Sequence, residues 1–242
     1  MHRLGLNFLI VGARFAISPL RGGIVPILVG LLFGPAYALN GGPDQAGDAK
    51  PLNYDYVILA LSWSPTYCAA KASRAEEPQC QNQANRGFVV HGLWPQANDG
   101  ARLRCPAGKS DFSKALFERA LQVYPDLKLA QSQWQRHGQC FGLAADAYLE
   151  RTAQARAKLQ LPERFRALDK PLSLPPDELS AAFRNANAGL TMQSISVSCR
   201  ASRVVGVLVC LKSDLSEFAP CPQVAKRTCR ATTIELPSVS RP

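Results

Sequence analysis

Two histidines of this chain lie in compact polar segments, and their side chains are suited to acid–base chemistry. The chain holds three histidines, of which only His91 and His137 lie beyond residue 2. The imidazole pKa lies near neutral pH, so two histidines can accept and donate protons under physiological conditions. Gly92 follows His91 and would allow a ligand to approach the backbone closely. The two histidines are therefore the candidate catalytic residues.

The segment around His137 is predicted to form a helix over residues 129–140. Side chains three and four residues apart share one face of a helix. The polar side chains expected together on that face are Ser132, Gln133, Arg136 and His137. Arginine supplies fixed hydrogen-bond donors and histidine supplies a proton, a combination that suits a phosphate group. The helix is therefore the predicted phosphate-binding half of the site, although Ser132 and Gln133 could also be neutral surface residues.

The segment around His91 is predicted to be a short strand, residues 87–90, that ends at this histidine. Trp94 follows closely and offers a flat apolar surface on which a nucleic-acid base could stack. A tryptophan can also pack one ring face in the core while it offers the other. Gln96 lies where a base preference could be set. Trp63 and Trp134 are assigned to the core.

Two histidines that face each other across a phosphodiester can cleave RNA by transesterification. One removes the proton of the ribose 2′-OH, and the other protonates the departing 5′ oxygen. A cation such as Arg136 stabilises the charge that develops at phosphorus. Because the 2′-OH is the nucleophile, the expected substrate is RNA and not DNA, and neither a metal nor another cofactor is required. Single strands are favoured since their unstacked bases can reach Trp94.

The first 38 residues have the composition of an export signal. They contain three arginines and no acidic residue, and an apolar run over residues 24–33 follows. Small residues at Ala36 and Ala38 place the expected cleavage after residue 38. A retained membrane anchor is the alternative, but spanning takes roughly 20 apolar residues, and Gly30 and Gly34 interrupt this run. The predicted location is the periplasm or the exterior, with no membrane contact after cleavage.

Removal of the signal leaves 204 residues with a net charge of +7. A basic exported domain suits a polyanionic partner, although many exported proteins are basic for solubility alone. An even number of cysteines in an exported chain indicates disulfides, and eight cysteines permit 105 pairings. A zinc site would need closely spaced cysteine pairs or clustered histidines, which the sequence lacks. The cysteines are Cys68, Cys80, Cys105, Cys140, Cys199, Cys210, Cys221 and Cys229.

The order of predicted elements indicates an α+β fold with one domain, because strands lie at both ends and helices lie between them. Residues 39–52 are expected to be a flexible leader, 53–236 the domain and 237–242 a loose tail. The predicted strands are 54–63, 87–90, 195–197 and 204–211, with Gly206 as a candidate bulge. The predicted helices are one that Asp111 or Ser113 caps and Pro125 ends, then 129–140, 144–160 and 176–189.

The chain resembles the ribonuclease T2 family, and in particular its bacterial periplasmic ribonuclease I-like branch. Residues 88–95 (FVVHGLWP) resemble the first active-site segment of the family, and residues 134–140 (WQRHGQC) resemble the second. Residues 59–68 (LALSWSPTYC) resemble the opening strand of the bacterial branch, as do Phe141-Gly142 and residues 146–148. The likeness spans roughly residues 54–230, and the two histidine segments together are highly specific.

The resemblance implies an α+β domain with a central antiparallel sheet, and it implies roles for individual residues. His137 would be the general base and His91 the general acid. Arg136 stands where the family usually has lysine and would stabilise the transition state, and Trp94 would stack on a base. The disulfides that the resemblance implies are Cys105–Cys140, Cys199–Cys229 and Cys210–Cys221, which leaves Cys68–Cys80.

Two positions depart from the family pattern. The family commonly has His-Glu four to five residues before the second histidine, and this chain has Ser132 and Gln133 there. The change removes a phosphate contact and a carboxylate that would favour a protonated imidazole. We therefore expect a slower enzyme whose base titrates at lower pH than in relatives that carry glutamate.

The sequence thus predicts an exported, metal-independent and monomeric endoribonuclease of single-stranded RNA. The expected products are 2′,3′-cyclic phosphates and then 3′-phosphates. The alternative is an exported RNA-binding protein whose active site is weakened or lost at Ser132 and Gln133. A secreted toxin that uses the same chemistry is a further alternative, but no added delivery domain supports it.

Overall fold

The structure contains the predicted strands near both ends of the domain and the predicted helices between them, with several short additional elements. In the computed structural model, the described residues are 52–70, 74–81, 86–100, 103–106 and 112–239. The strands are β1 (Tyr56–Trp63), β2 (Phe88–Gln96), β3 (Leu172–Leu174), β4 (Ile195–Arg200), β5 (Arg203–Lys212) and β6 (Ile234–Leu236). The helices are α1 (Ser64–Ala69), α2 (Lys114–Val123), α3 (Leu127–Arg136), α4 (Ala145–Ala157), α5 (Pro176–Ala186) and α6 (Pro222–Ala225).

One six-stranded sheet organises these elements. Its strand order is β2-β1-β5-β6-β3, and β4 pairs with β5 as well. The pairs are antiparallel except for a short parallel contact between β5 and β6, where Arg203 lies opposite Glu235. Together with the helices, this sheet confirms the predicted α+β fold with a central antiparallel sheet.

The two faces of the sheet pack against different apolar clusters, because the side chains along β1 alternate between the faces. Val57, Leu59 and Leu61 belong to the large core that the sheet shares with the helices. Tyr56 and Ile58 point to the opposite face, where a smaller cluster includes both cysteines of the Cys210–Cys221 bridge. Every residue of β1 is buried, so this strand is the rigid centre against which the site is built.

Four disulfides cross-link the chain, and two of them start in strands of this sheet, at Cys199 of β4 and Cys210 of β5. They join Cys68 to Cys80, Cys105 to Cys140, Cys199 to Cys229 and Cys210 to Cys221. These are the pairs that the family resemblance implies. No cysteine of the chain is free.

Helix α3 is shorter than the sequence predicts. The helix begins after Asp126, whose side chain accepts a hydrogen bond from the Leu129 backbone N–H, and it ends at Arg136. His137 caps it with φ −132° and ψ −38°, and a 3₁₀ turn over Gly138–Phe141 follows. The prediction of one helix to residue 140 is wrong because the chain changes direction at this histidine.

The chain end is packed through residue 239, although a loose tail is predicted over 237–242. The Trp63 indole Nε1 donates to the Pro237 carbonyl at 3.1 Å, and the Val239 backbone N–H donates to the Leu168 carbonyl at 2.7 Å. Val239 is buried against the core. Residues 240–242, the predicted signal segment and all of the predicted leader except Leu52 lie outside the described residues.

Smaller differences concern helix caps and strand ends. Ser113 is the N-cap of α2, and its hydroxyl accepts from the Leu116 backbone N–H; Asp111 lies outside the described residues. The predicted irregularity near Gly206 is a break in register in which β5 passes from Val204 to Gly206 opposite neighbouring β4 residues. Within the described part of the chain, no helix has the length and apolar character that a membrane span requires.

Candidate active site

A β-bulge aims the side chain of His91. In the pairing of β1 with β2, Ala60 lies opposite Gly92 and Leu61 lies opposite Val90, so His91 is the extra residue between them. A bulge interrupts the alternation of a strand and redirects one side chain, which is why bulges are frequent beside active sites. The sequence predicts that the strand ends near His91, whereas β2 continues to Gln96 with this histidine inside it.

Gly92 allows three groups to meet in a small space. A Cβ atom at this position would overlap the side-chain oxygen of Gln133 and the indole nitrogen of Trp94. These two atoms form a hydrogen bond of 2.7 Å, in which Trp94 Nε1 donates to Gln133 Oε1. The glycine therefore serves the close approach of helix α3 to strand β2, and Gln133, which is buried, fixes the orientation of the Trp94 ring.

A tyrosine of α4 forms hydrogen bonds with the backbone just after the bulge. The Tyr148 hydroxyl donates to the Leu93 carbonyl at 3.2 Å and accepts from the Leu93 N–H at 3.4 Å and from the Tyr124 hydroxyl at 3.2 Å. Burial raises the pKa of Tyr148 to about 12, so this residue stays a neutral hydrogen-bonding group. The bulge is thus fixed on one side by the sheet and on the other by a buried hydroxyl.

His137 is held at the end of α3 by local contacts. Its backbone N–H donates to the Gln133 carbonyl, and its carbonyl accepts from the Cys140 N–H. A Cβ at Gly138 would overlap the Trp134 ring, so only glycine lets the chain turn this tightly over the indole. The Cys105–Cys140 disulfide then closes the turn. The position of His137 follows from this glycine and this bridge.

The Trp94 ring lies close to both histidines. The ring centroids of Trp94 and His91 are 5.9 Å apart with nearly perpendicular planes, and those of Trp94 and His137 are 5.4 Å apart with planes tilted by 34°. All three side chains are partly exposed. The structure therefore brings both predicted catalytic histidines to the same indole, at a place that a ligand can reach.

The charge of Arg136 reaches into this site. Burial is the main cause that lowers the pKa of His91, and the positive charge of Arg136 lowers it further. The guanidinium therefore adds positive charge to the surroundings of His91. Arg136 is exposed, and none of the ion pairs among the described residues uses it.

Two clefts lie at the site. The first, which we call the sheet cleft, has a volume of about 570 Å³ and is lined by His91, Trp94 and residues of β1, β4, β5 and α1. The second, which we call the loop cleft, has a volume of about 710 Å³ and is lined by Arg136, His137, Gln96 and the adjoining loops. Each histidine therefore lines a different cleft.

The remaining predicted site residues lie at different depths. Gln96 lines the loop cleft, and its side-chain amide donates to the Pro95 carbonyl. Ser132 is half-buried on α3 and lines neither cleft. Gln133 is buried beneath Trp94, whereas Arg136 is exposed, so the predicted polar residues of α3 differ in burial. The expectation that Gln133 slows the enzyme stays a prediction.

Several contributors to the site are absent from the sequence prediction. The sequence prediction gives Tyr124 and Tyr148 no role in the site, because no local pattern marks two buried tyrosines that meet only in the folded chain. Gly138 carried a usable signal, because glycine directly after a helix is a common stop. Among the described residues, no group of three or more His, Cys, Asp or Glu side chains is placed to hold a metal ion.

Comparisons with known proteins agree with this geometry. The model of the "Ribonuclease T2 family" matches residues 54–221, which contain both histidine segments. A ribonuclease of Aeromonas hydrophila is 29% identical over 223 residues, which cover 90% of this chain and 95% of the relative.

Solved structures share the fold. Trichomaglin, described as an S-like ribonuclease, matches with a TM-score of 0.62 at 20% identity and covers 78% of this chain and 100% of its own. A mutant of RNase MC1 in complex with 5′-UMP matches with a TM-score of 0.61 at 20% identity and covers 76% and 98%. With a family match over most of the described residues and the same architecture in solved ribonucleases, this chain belongs to the ribonuclease T2 family and is an RNA-cleaving enzyme.

Proposed function

We propose that the protein is an endoribonuclease that cleaves single-stranded RNA by metal-independent transesterification, with His91 and His137 as its proton-transfer groups. The observation that carries the proposal is the pair of imidazoles beside Trp94, with ring centroids 5.9 Å and 5.4 Å from the indole. Two partly exposed histidines so close to one indole can face a single phosphodiester.

In the first step, His137 takes the proton of the ribose 2′-OH. The 2′ oxygen attacks phosphorus, the bond from phosphorus to the 5′ oxygen breaks, and His91 donates a proton to that departing oxygen. The products are a 2′,3′-cyclic phosphate and a free 5′-hydroxyl. This assignment of roles follows the family resemblance; the lowered pKa of His91 makes its imidazolium a stronger acid and leaves less of it protonated at neutral pH.

In the second, slower step, the roles of the histidines reverse. His91 takes a proton from water, the water oxygen attacks the cyclic phosphate, and His137 returns a proton to the 2′ oxygen as its bond to phosphorus breaks. The product is a 3′-phosphate. Arg136 stabilises the negative charge on phosphorus in both steps, because its guanidinium donates fixed hydrogen bonds to phosphoryl oxygens.

The two clefts give the bound strand a direction. The base partner of the 2′-OH, His137, lines the loop cleft together with Gln96, so the nucleotide on the 5′ side lies there. The acid His91 lines the sheet cleft, so the nucleotide on the 3′ side lies there. The exposed part of the Trp94 ring, which lines the sheet cleft, offers a stacking surface.

The setting of this activity follows from the disulfides and from the charge. Four disulfides are stable in an oxidising compartment, which suits a periplasmic or secreted enzyme. The net charge of +10 favours binding of a polyanionic strand. We take the active species to be a monomer, because both histidines and the arginine come from one chain.

The test is digestion of a fluorescent RNA oligonucleotide in excess EDTA by the wild type and by His91→Ala and His137→Ala. We expect each variant to lose about 10²- to 10⁴-fold in kcat, the usual contribution of one acid–base group. Mass spectrometry should show a cyclic-phosphate end in the wild-type product. Lys128→Ala is the matched control, because this exposed lysine lies at the opposite end of α3 from His137.

Two outcomes would contradict the proposal. Cleavage that EDTA abolishes would require a metal-dependent mechanism. Absence of cleavage by correctly bridged wild type from acidic to neutral pH, with RNA still bound, would favour the RNA-binding alternative that Ser132 and Gln133 raise.

A further inference from the structure

The sheet cleft continues well past His91, across the face of the sheet. Its lining passes from β2 through Ala60 and Ser62 of β1 to Leu208 of β5 and the β4–β5 turn. Neighbouring strands are about 4.8 Å apart, so β5 lies roughly 10 Å from β2. Strand β5 starts at Arg203, three residues before Gly206. The β4–β5 turn, which precedes Arg203, therefore lies roughly another 10 Å along the strand. A substrate that ends just beyond the scissile phosphate does not reach this turn.

The floor of this extension is apolar. Ala60 and Leu208 line it, and Val205 is a large apolar side chain that is 40% exposed. Val205 lies where the register of β4 and β5 breaks, and it presents its side chain to the cleft. A flat apolar surface of this kind accepts nucleic-acid bases of any sequence.

The far end of the cleft is basic. Arg200 and Arg203 lie directly opposite each other in the register of β4 and β5, and both line the cleft. Like charges that face each other across a strand pair destabilise a hairpin, unless an anion lies between them. Arg203 has a solvent-exposed ion pair of 3.7 Å with Glu235. Arg200 makes no hydrogen bond or ion pair through its side chain with the residues that the structure describes.

Two residues that line this cleft also carry buried hydroxyls. Ser62 is only 7% exposed, and its Oγ has no hydrogen-bond partner among the described residues. Thr66 Oγ1 at the start of α1 is likewise buried without such a partner. Both residues line the cleft. A buried hydroxyl without a partner costs stability that a ligand atom can recover, so these side chains point to a polar ligand.

We propose that this extension binds the RNA strand on the 3′ side of the cleaved bond, beyond the leaving nucleotide. Arg200 and Arg203 bind the next phosphate, the apolar floor supports a base, and the hydroxyls of Ser62 and Thr66 bind polar atoms of the leaving nucleotide. The proposal rests on the proposed function, which assigns His91 and the sheet cleft to the 3′ side. The enzyme is thereby selective for chains that continue downstream of the cut.

The test uses oligodeoxynucleotides that contain a single ribonucleotide, because only that residue has the 2′-OH and the cleavage site is therefore known. The short substrate has one nucleotide on each side of the ribonucleotide. The second has four nucleotides on the 3′ side, and the third has four on the 5′ side. We expect the 3′ extension to raise kcat/KM at least about tenfold, the effect of one hydrogen bond to a charged group.

The variant for this test is Arg200→Ala with Arg203→Ala. It should lose most of the gain from the 3′ extension and should cleave the short substrate as the wild type does. Lys114→Ala with Lys170→Ala is the control, because it removes the same charge from exposed positions that do not line the sheet cleft. This control should keep the full gain. Thermal unfolding should show that both double variants are folded.

The outcomes separate the two proposals. A wild type that cleaves all three substrates equally would overturn the downstream site and leave the proposed function intact. A 3′ gain that survives in the Arg200/Arg203 variant, or that disappears equally in the lysine control, would also overturn it. Failure of the wild type to cleave any of the three substrates would contradict the proposed function itself.

Discussion

His91 and His137 lie beside the same indole, but different kinds of interaction hold them. His91 belongs to a strand that pairs over its length with the fully buried β1, and Tyr148 fixes the backbone two residues later. His137 lies past the end of a helix, in backbone that is neither helix nor strand, and the disulfide at Cys140 closes its turn. The strand half of the site is thus fixed by a hydrogen-bonded core, and the helix half depends on a covalent bond.

The strongest way to disturb both halves at once is to push them apart at their point of contact. Gly92→Ala adds a Cβ that overlaps Gln133 Oε1 and Trp94 Nε1. We expect kcat/KM to fall by about a hundredfold, because a displacement of the order of 1 Å in a catalytic site has that cost. Overpacking should also lower the free energy of unfolding by about 1–3 kcal/mol. Steady-state kinetics and thermal unfolding measure the two effects.

Gly189→Ala is the control for this change. Gly189 has a φ of +82°, so alanine is strained there, but no atom lies within 4 Å of the added Cβ. It should lower stability by about 1 kcal/mol and leave kcat/KM unchanged. Equal losses of activity in the two variants would mean that general destabilisation, and not the contact at Gly92, sets the rate.

The next comparison removes the covalent bond from the helix half alone. The double variant Cys105→Ala and Cys140→Ala opens a loop of sequence separation 35. We expect the free energy of unfolding to fall by about 4 kcal/mol. Because His137 lies three residues from Cys140, we also expect kcat/KM to fall by about tenfold. The assay uses the short substrate at a temperature where the variant is folded.

Cys199→Ala with Cys229→Ala is a matched control for the disulfide. It opens a loop of separation 30, so the expected loss of stability is also about 4 kcal/mol. This bridge contacts neither histidine, and cleavage of the short substrate should be unchanged. If both double variants lose the same activity, the helix half does not depend on its disulfide more than the rest of the fold does.

The two halves also differ in how far the sequence predicts them. The α+β fold and the four longest strands follow from apolar patterns and from the order of elements, which are local properties. The bulge at His91 does not, because it arises from the register of β1 against β2, and register is set by the whole sheet. The sequence therefore predicts the strand that carries His91, but it does not predict the bulge that orients the His91 side chain.

The prediction of the helix half is incomplete for a different reason. The spacing of Gln133 and His137 predicts a shared helix face, but this holds only while the helix continues. Gly138 lies against the Trp134 ring, and the helix stops one residue earlier than the histidine requires. The close contact between Trp94 and Gln133 is tertiary, so no pattern within α3 could assign Gln133 to the indole.

The smallest expected effect concerns the electrostatic link between the halves, in which Arg136 on α3 lowers the pKa of His91 on β2. As the general acid, His91 must be protonated in the free enzyme. Its lowered pKa places the loss of kcat/KM below the ordinary imidazole range near pH 6.5, so activity falls as the pH rises through that value. Arg136→Gln removes the positive charge, and the alkaline limb of the kcat/KM profile should move to higher pH.

Arg136→Gln should also lower kcat, because the guanidinium stabilises the transition state. This loss of rate does not change the pH at which the limb lies, so the two effects can be measured separately. Lys128→Gln removes an equal charge at the far end of the same helix and should leave the limb in place. A limb that stays fixed in Arg136→Gln would mean that burial alone sets the pKa of His91. If the acidic limb moves to higher pH instead, His91 is the base, and the roles of the two histidines would have to be exchanged.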